Sequence, residues 1–120
     1  MGAPSYPRTE RVADLIREEL AEIVARKLKD PRVGFVTFTR VKVSRDMRHA
    51  SVYVSPMGDE AAQRSTLQGL QAASGFLRSE LGRRLRLRYT PELRFFRDAS
   101  LEQGARVLRL LDEIRRKEEP

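Results

Sequence analysis

The 120 residues predict an α+β fold, with helices laid on one face of a small three-stranded sheet. Three observations carry that expectation. Apolar residues recur at steps of three and four in three separate stretches, the spacing of a buried helix face. Two stretches between the first and second of these alternate at period two and are rich in β-branched and aromatic residues. Proline, glycine and short polar turns separate the two kinds of pattern.

The first helix is carried by Val12, Leu15, Ile16, Leu20, Ile23, Val24 and Leu28, all expected in the core, and Asp30-Pro31 stops it. From Phe35 to Ser44 the chain reads FVTFTRVKVS, a strand. Val36 and Phe38 share one phase, whereas Val41 and Val43 share the other, so a β-bulge is expected near Thr39-Arg40. After the polar connection Arg45–Arg48, a second strand runs from His49 to Ser55 with Ala50, Val52 and Val54 pointing one way. Two strands joined so closely should pair as a hairpin. Asp59-Glu60 reads as a helix start. Leu67, Leu70, Ala73, Leu77, Leu81 and Leu85 then form one stripe that continues across Gly75, which implies a kinked pair of helices on a shared core. Thr90-Pro91 ends the pair, Leu93–Phe96 reads as a third strand, and Ser100 with Gln103 forms a capping box for a last helix. That helix should bury Leu101, Val107, Leu108, Leu111 and Ile114. Residues 1–7 read as a flexible N-terminus, 8–114 as a single domain and 115–120 as a frayed tail.

Composition narrows function. No apolar run approaches the ~20 residues of a membrane span, there is no signal-peptide pattern, and cysteine is absent; a cytoplasmic protein with no membrane partner is expected. The tools of catalysis are missing too. His49 has no second histidine or nucleophile spaced with it, and no Walker loop, GxGxxG, HExxH or EF-hand spacing occurs. The basic segments are poor in the converging carboxylates that a two-metal nuclease needs, so no metal or cofactor is expected.

Positive charge is concentrated. Residues 26–48 carry eight Lys/Arg against two Asp, and residues 76–97 carry seven Arg against two Glu. Those nets of +6 and +5 leave the remainder at −4 within an overall +7. Such a distribution suits a polyanionic partner. Arg32, Lys42, Arg45 and Arg48 form one candidate RNA-contacting set; Arg78, Arg83, Arg84, Arg86 and Arg88 form another. Four arginines within Arg83–Arg88 exceed what a helix C-terminus needs to complement its dipole. At 100° per residue, Arg64, Arg78, Arg83 and Arg86 lie away from the apolar stripe and should be free to face a partner. Phe35, Phe38, Phe76 and Phe95 sit in apolar phases and are expected in the core, leaving Tyr6 and Tyr89 outside. The aromatic signature of a base-stacking sheet is absent, so binding through phosphates and shape is expected.

The stretches RTERVADLIREELAEIV, KDPRVGFVTFTRVKVSRDMRHASVYVS, AASGFLRSELGRRLRLRYTPELRFFRD and SLEQG resemble bacterial ribosome-binding factor A over residues 8–112. The resemblance implies a KH-like domain of type II topology with a C-terminal helix. In that family the usual GxxG loop is replaced by an Ala-x-Gly kink, here Ala73-Ser74-Gly75, and this chain contains no GxxG. It further implies a monomeric, non-catalytic assembly factor that binds the free small ribosomal subunit and its rRNA during late maturation and processing. The family acts near the rRNA ends and the decoding site, supports growth in the cold, and is released with a ribosome-associated GTPase. The alternative on charge alone is a general nucleic-acid-binding protein. Two readings of Gly75 stay open: it lets the second helix offer backbone amides to a phosphate, or it relieves packing against the first helix.

Overall fold

The structure, a computed structural model, describes residues 8–99 together with Leu111, Ile114 and Arg115. Its elements run α1 (Arg8–Arg26), β1 (Val36–Val43), β2 (His49–Pro56), α2 (Glu60–Ala72), α3 (Ser74–Leu85) and β3 (Glu92–Arg97). The sheet has the order β1-β2-β3. β1 and β2 form the expected antiparallel hairpin, while β3 lies parallel to β2. A parallel neighbour requires a crossover, and α2 and α3 together supply it.

Alternation decides which side of the sheet is dry. Ala50, Val52 and Val54 of β2, Leu93 and Phe95 of β3, and Phe38 and Val41 of β1 all turn into one core. Val12, Ala13, Ile16, Leu20 and Ile23 meet them from α1, Leu70 from α2, and Leu77 and Leu81 from α3. The pairing slips between Phe38 and Arg40, which is the predicted bulge. Thr39 is the extra residue, and it lets Phe38 and Val41 share a face despite their odd spacing.

Local chemistry sets the ends. The carboxylate of Asp59 accepts from the Ala62 N–H at 2.8 Å and caps α2. The free edge of β3 is partly occupied by Gln71 of α2, whose Oε1 accepts from the Phe95 N–H at 3.1 Å. The buried Thr66 hydroxyl accepts from the Gly34 N–H at 3.1 Å, fixing the loop before β1 against α2.

Among the described residues, five expected in the core are instead exposed. Leu15 is 45% exposed; it lies about 110° around α1 from the centre of the buried stripe, although its sequence spacing fits. Phe35 is 75% exposed because it alternates with the inward-facing Val36. Phe76 is 43% exposed, one residue off the Leu77–Leu81 line. The first helix also ends at Arg26, four residues before Asp30-Pro31. Residues 1–7, and the last helix apart from Leu111, Ile114 and Arg115, lie outside the described residues. Those three are helical, and Leu111 and Ile114, expected in the core, are more than half exposed.

Candidate nucleic-acid interface

The predicted kink is real: α2 closes and α3 opens at Ala73, the residue shared by both caps. No side chain caps the start of α3. A Cβ built at Gly75 meets no atom within 4 Å, so packing does not require glycine there. The reading in which Gly75 relieves a contact with the first helix is thereby removed. At Gly69, by contrast, a Cβ would come within 2.6 Å of Val33 Cγ2. The close approach to the rest of the fold is made at Gly69, four residues before the kink at Ala73.

Gly75 instead lines an open groove of about 450 Å³ with Arg78, Ser79, Gly82, Leu87, Arg88, Tyr89 and Thr90. A neighbouring recess is lined by Arg8, Asp46, Met47 and again Leu87, Arg88 and Tyr89. Arg88 and Tyr89 therefore join the kink to the β1–β2 turn. Tyr89 is the hub that sequence reasoning left unassigned. Its ring centroid lies 5.4 Å from the Arg78 guanidinium carbon and 5.9 Å from that of Arg48. Arg78 is anchored as well, its Nε donating to the Thr90 carbonyl at 2.9 Å.

The turn that presents Arg45 and Arg48 is tightly bonded. Asp46 Oδ1 accepts from the Ser44 hydroxyl at 2.7 Å and from the Arg48 N–H at 3.1 Å, and Met47 takes a left-handed conformation with φ of 64°. The Ser44 hydrogen bond, aided by the Arg48 N–H, holds the Asp46 carboxyl below its usual range. Arg86 also adopts a left-handed backbone, at φ 50° and ψ 42°, where it caps α3 with its N–H donating to Gly82 O. Such a conformation is unfavourable for a residue with a Cβ, and a glycine would remove that strain together with the charge.

The structure thus gathers Ala73, Ser74, Gly75, Arg78 and Arg88 around the kink and groove, with Arg48 across the Tyr89 bridge, Arg45 in the same β1–β2 turn and Arg86 at the end of α3. Four expected site residues lie elsewhere or are already engaged. Arg84 bonds Glu19 at 2.9 Å and lies 3.3 Å from Glu22, tying α3 to α1, and these contacts raise its pKa. Arg83 and Lys27 both pair with the buried Glu80, at 2.9 and 3.0 Å. The Lys27 hydrogen bond is the main reason that Glu80's pKa is lowered. Arg32 forks onto Asp30, which falls to about 2 through that side-chain hydrogen bond. Lys42 sits on the outer face of the sheet, away from the groove. The expectation that Arg78 and Arg83 are unengaged is corrected by the same contacts. Arg45, Arg48, Arg86 and Arg88 enter no ion pair among the described residues.

Among the described residues no group of three or more His, Cys, Asp or Glu converges, and no helix is long and apolar enough to cross a membrane.

Comparison with known proteins agrees with this architecture. The family model for ribosome-binding factor A matches residues 8–111. A ribosome-binding factor A from Azoarcus sp. is 51% identical over 114 residues, covering 95% of this chain and 90% of that protein. The crystal structure of ribosome-binding factor A from Thermus thermophilus superposes with a TM-score of 0.67 at 32% identity, over 77% of this chain and 97% of that one. Coordinates for the Thermus thermophilus factor fitted into a cryo-EM map of a 30S complex with it match with a TM-score of 0.64 at 31% identity, over 76% and 96%. With the family model spanning nearly the whole chain and half the residues identical to the Azoarcus protein, the chain belongs to the ribosome-binding factor A family.

Proposed function

We propose that the chain is a non-catalytic assembly factor that binds the small ribosomal subunit through phosphates of its rRNA, using the groove at the α2–α3 kink. Family membership supports this, as does the relative fitted into a 30S complex. The observation that carries it is the kink itself: a glycine that packing does not need, opening onto Arg78 and Arg88, with Arg48 held across Tyr89. Backbone there can approach a phosphate closely, and the surrounding arginines supply the charge. The same reading makes the factor a cytoplasmic monomer that acts in late rRNA maturation and processing, matters most in the cold, and leaves with a ribosome-associated GTPase. Loss of the protein should then let immature small-subunit rRNA accumulate, more so at low temperature.

The test is binding of the Arg48→Ala/Arg88→Ala double variant to purified small subunits over a salt series. Losing two phosphate contacts should flatten the log–log salt slope by about 1.5 and weaken binding at low salt. An unchanged slope would remove these arginines from the interface. Duplex DNA in excess separates the rival reading: displacement of the wild-type protein would mark a general nucleic-acid binder.

A further inference from the structure

The sheet face turned away from the helices carries a cluster that the kink groove does not use. Register brings Arg40 of β1, Tyr53 of β2 and Phe96 of β3 into one row across the sheet. The Arg40 guanidinium carbon lies 4.4 Å from the Tyr53 ring centroid, and the Tyr53 and Phe96 centroids are 5.7 Å apart with planes inclined at 32°. The adjacent row is Lys42, Ser51 and Arg94. All three cations are exposed, as is Phe96. The bulge creates the first row. Because Thr39 and Arg40 face outward in succession, Arg40 reaches Tyr53 while Val41 still reaches the core. The Thr39 hydroxyl donates to Asp98 Oδ2 at 2.6 Å and lies 3.1 Å from the Tyr53 carbonyl oxygen, which pins the bulge.

We infer, against the sequence expectation of binding through phosphates and shape alone, that this open face is a second RNA-contacting surface, on which unpaired bases of single-stranded RNA stack against Tyr53 and Phe96 while Arg40, Lys42 and Arg94 take the phosphates. The inference rests on the reading of the chain as an RNA binder and adds a site and a ligand class to it. Complementarity selects the occupant. The acidic groups of this face stand at its two ends and are engaged, Glu92 with His49 at 3.6 Å and Asp98 with Thr39. The middle of the face is therefore cationic and aromatic. A single strand offers a π-face to each ring and a phosphate to each cation. A duplex keeps its bases stacked inside, and an acidic peptide has no group that requires the ring pair.

The experiment follows the Tyr53 and Phe96 ring resonances of the full chain by NMR while a short oligoadenylate, a hairpin duplex or an oligoglutamate is added. Oligoadenylate should shift both rings, with the other two leaving them in place. The Tyr53→Leu/Phe96→Leu variant should bind oligoadenylate about tenfold more weakly or worse, and Tyr53→Phe should retain binding. Unmoved rings in the wild-type protein, equal shifts with oligoglutamate, or undiminished binding by a folded double variant would each overturn the inference. Subunit binding measured alongside keeps the two ideas apart. A wild-type protein that binds subunits with unmoved rings refutes this site alone; one that shifts its rings yet ignores subunits refutes the assembly-factor reading alone.

Discussion

A methyl group at Gly75 would enter open space, whereas one at Gly69 would collide with Val33. The two glycines of the kinked pair therefore make opposite predictions. Gly75→Ala gains helix propensity at no steric expense and should raise stability by up to about 1 kcal/mol in chemical denaturation. If the kink backbone meets a phosphate, the same variant should lose affinity for small subunits while folding better. Gly69→Ala should lower stability by about 1–2 kcal/mol, since the Val33 contact outweighs the propensity gain. Equal effects at the two positions would contradict the packing described here. Tyr89 and Phe76 show what single residues conceal. Tyr89 was readable as lying outside the core but not as the partner of Arg48 and Arg78, and Phe76 sits in an apolar phase that the fold nevertheless leaves exposed.

At the scale of elements, α1 and α3 are held together by charge as well as by leucines. Arg84 reaches Glu19 and Glu22, and Glu80 receives Lys27 from the end of α1. Glu80 is held below its usual pKa of 4.5, so its ionised form favours the folded state. That contribution is present in full above the unfolded value and is lost as pH falls through the lowered folded value. Glu80→Gln should therefore be less stable at neutral pH and should lose less on acidification than the wild-type protein. Thermal unfolding from pH 7 to pH 3 checks this, and parallel losses in both proteins would argue against it. Asp30 and Asp46, also lowered, act in the same direction and supply part of the remaining acid dependence. The order of elements was legible in the sequence because period, caps and turns are local: the bulge near Thr39-Arg40, the helix start at Asp59 and a kink near Gly75 were each readable within a few residues, and the structure puts the break at Ala73. The Arg84–Glu19 pair, 65 residues apart, was not. Nor was the Arg40–Tyr53–Phe96 row, which exists only because β3 lies parallel to β2 in one register. Charge clustering located the basic segments but could not tell arginines that hold the fold from arginines left for a partner.

For the whole molecule, the net charge of +7 is divided by the fold into two uses. Part is neutralised between helices, and part lines the groove and the outer face of the sheet. Association with a polyanion should therefore depend steeply on salt, at a log–log slope of roughly 0.7–0.9 per phosphate neutralised. On the proposed function, this surface serves a maturing small subunit rather than nucleic acid at large. Co-sedimentation with free small subunits and with joined ribosomes, across a salt series, tests it most directly. Binding to free small subunits alone, weakening steeply as salt rises, is the expected result. Equal binding to joined ribosomes, or binding that salt leaves unchanged, would contradict it.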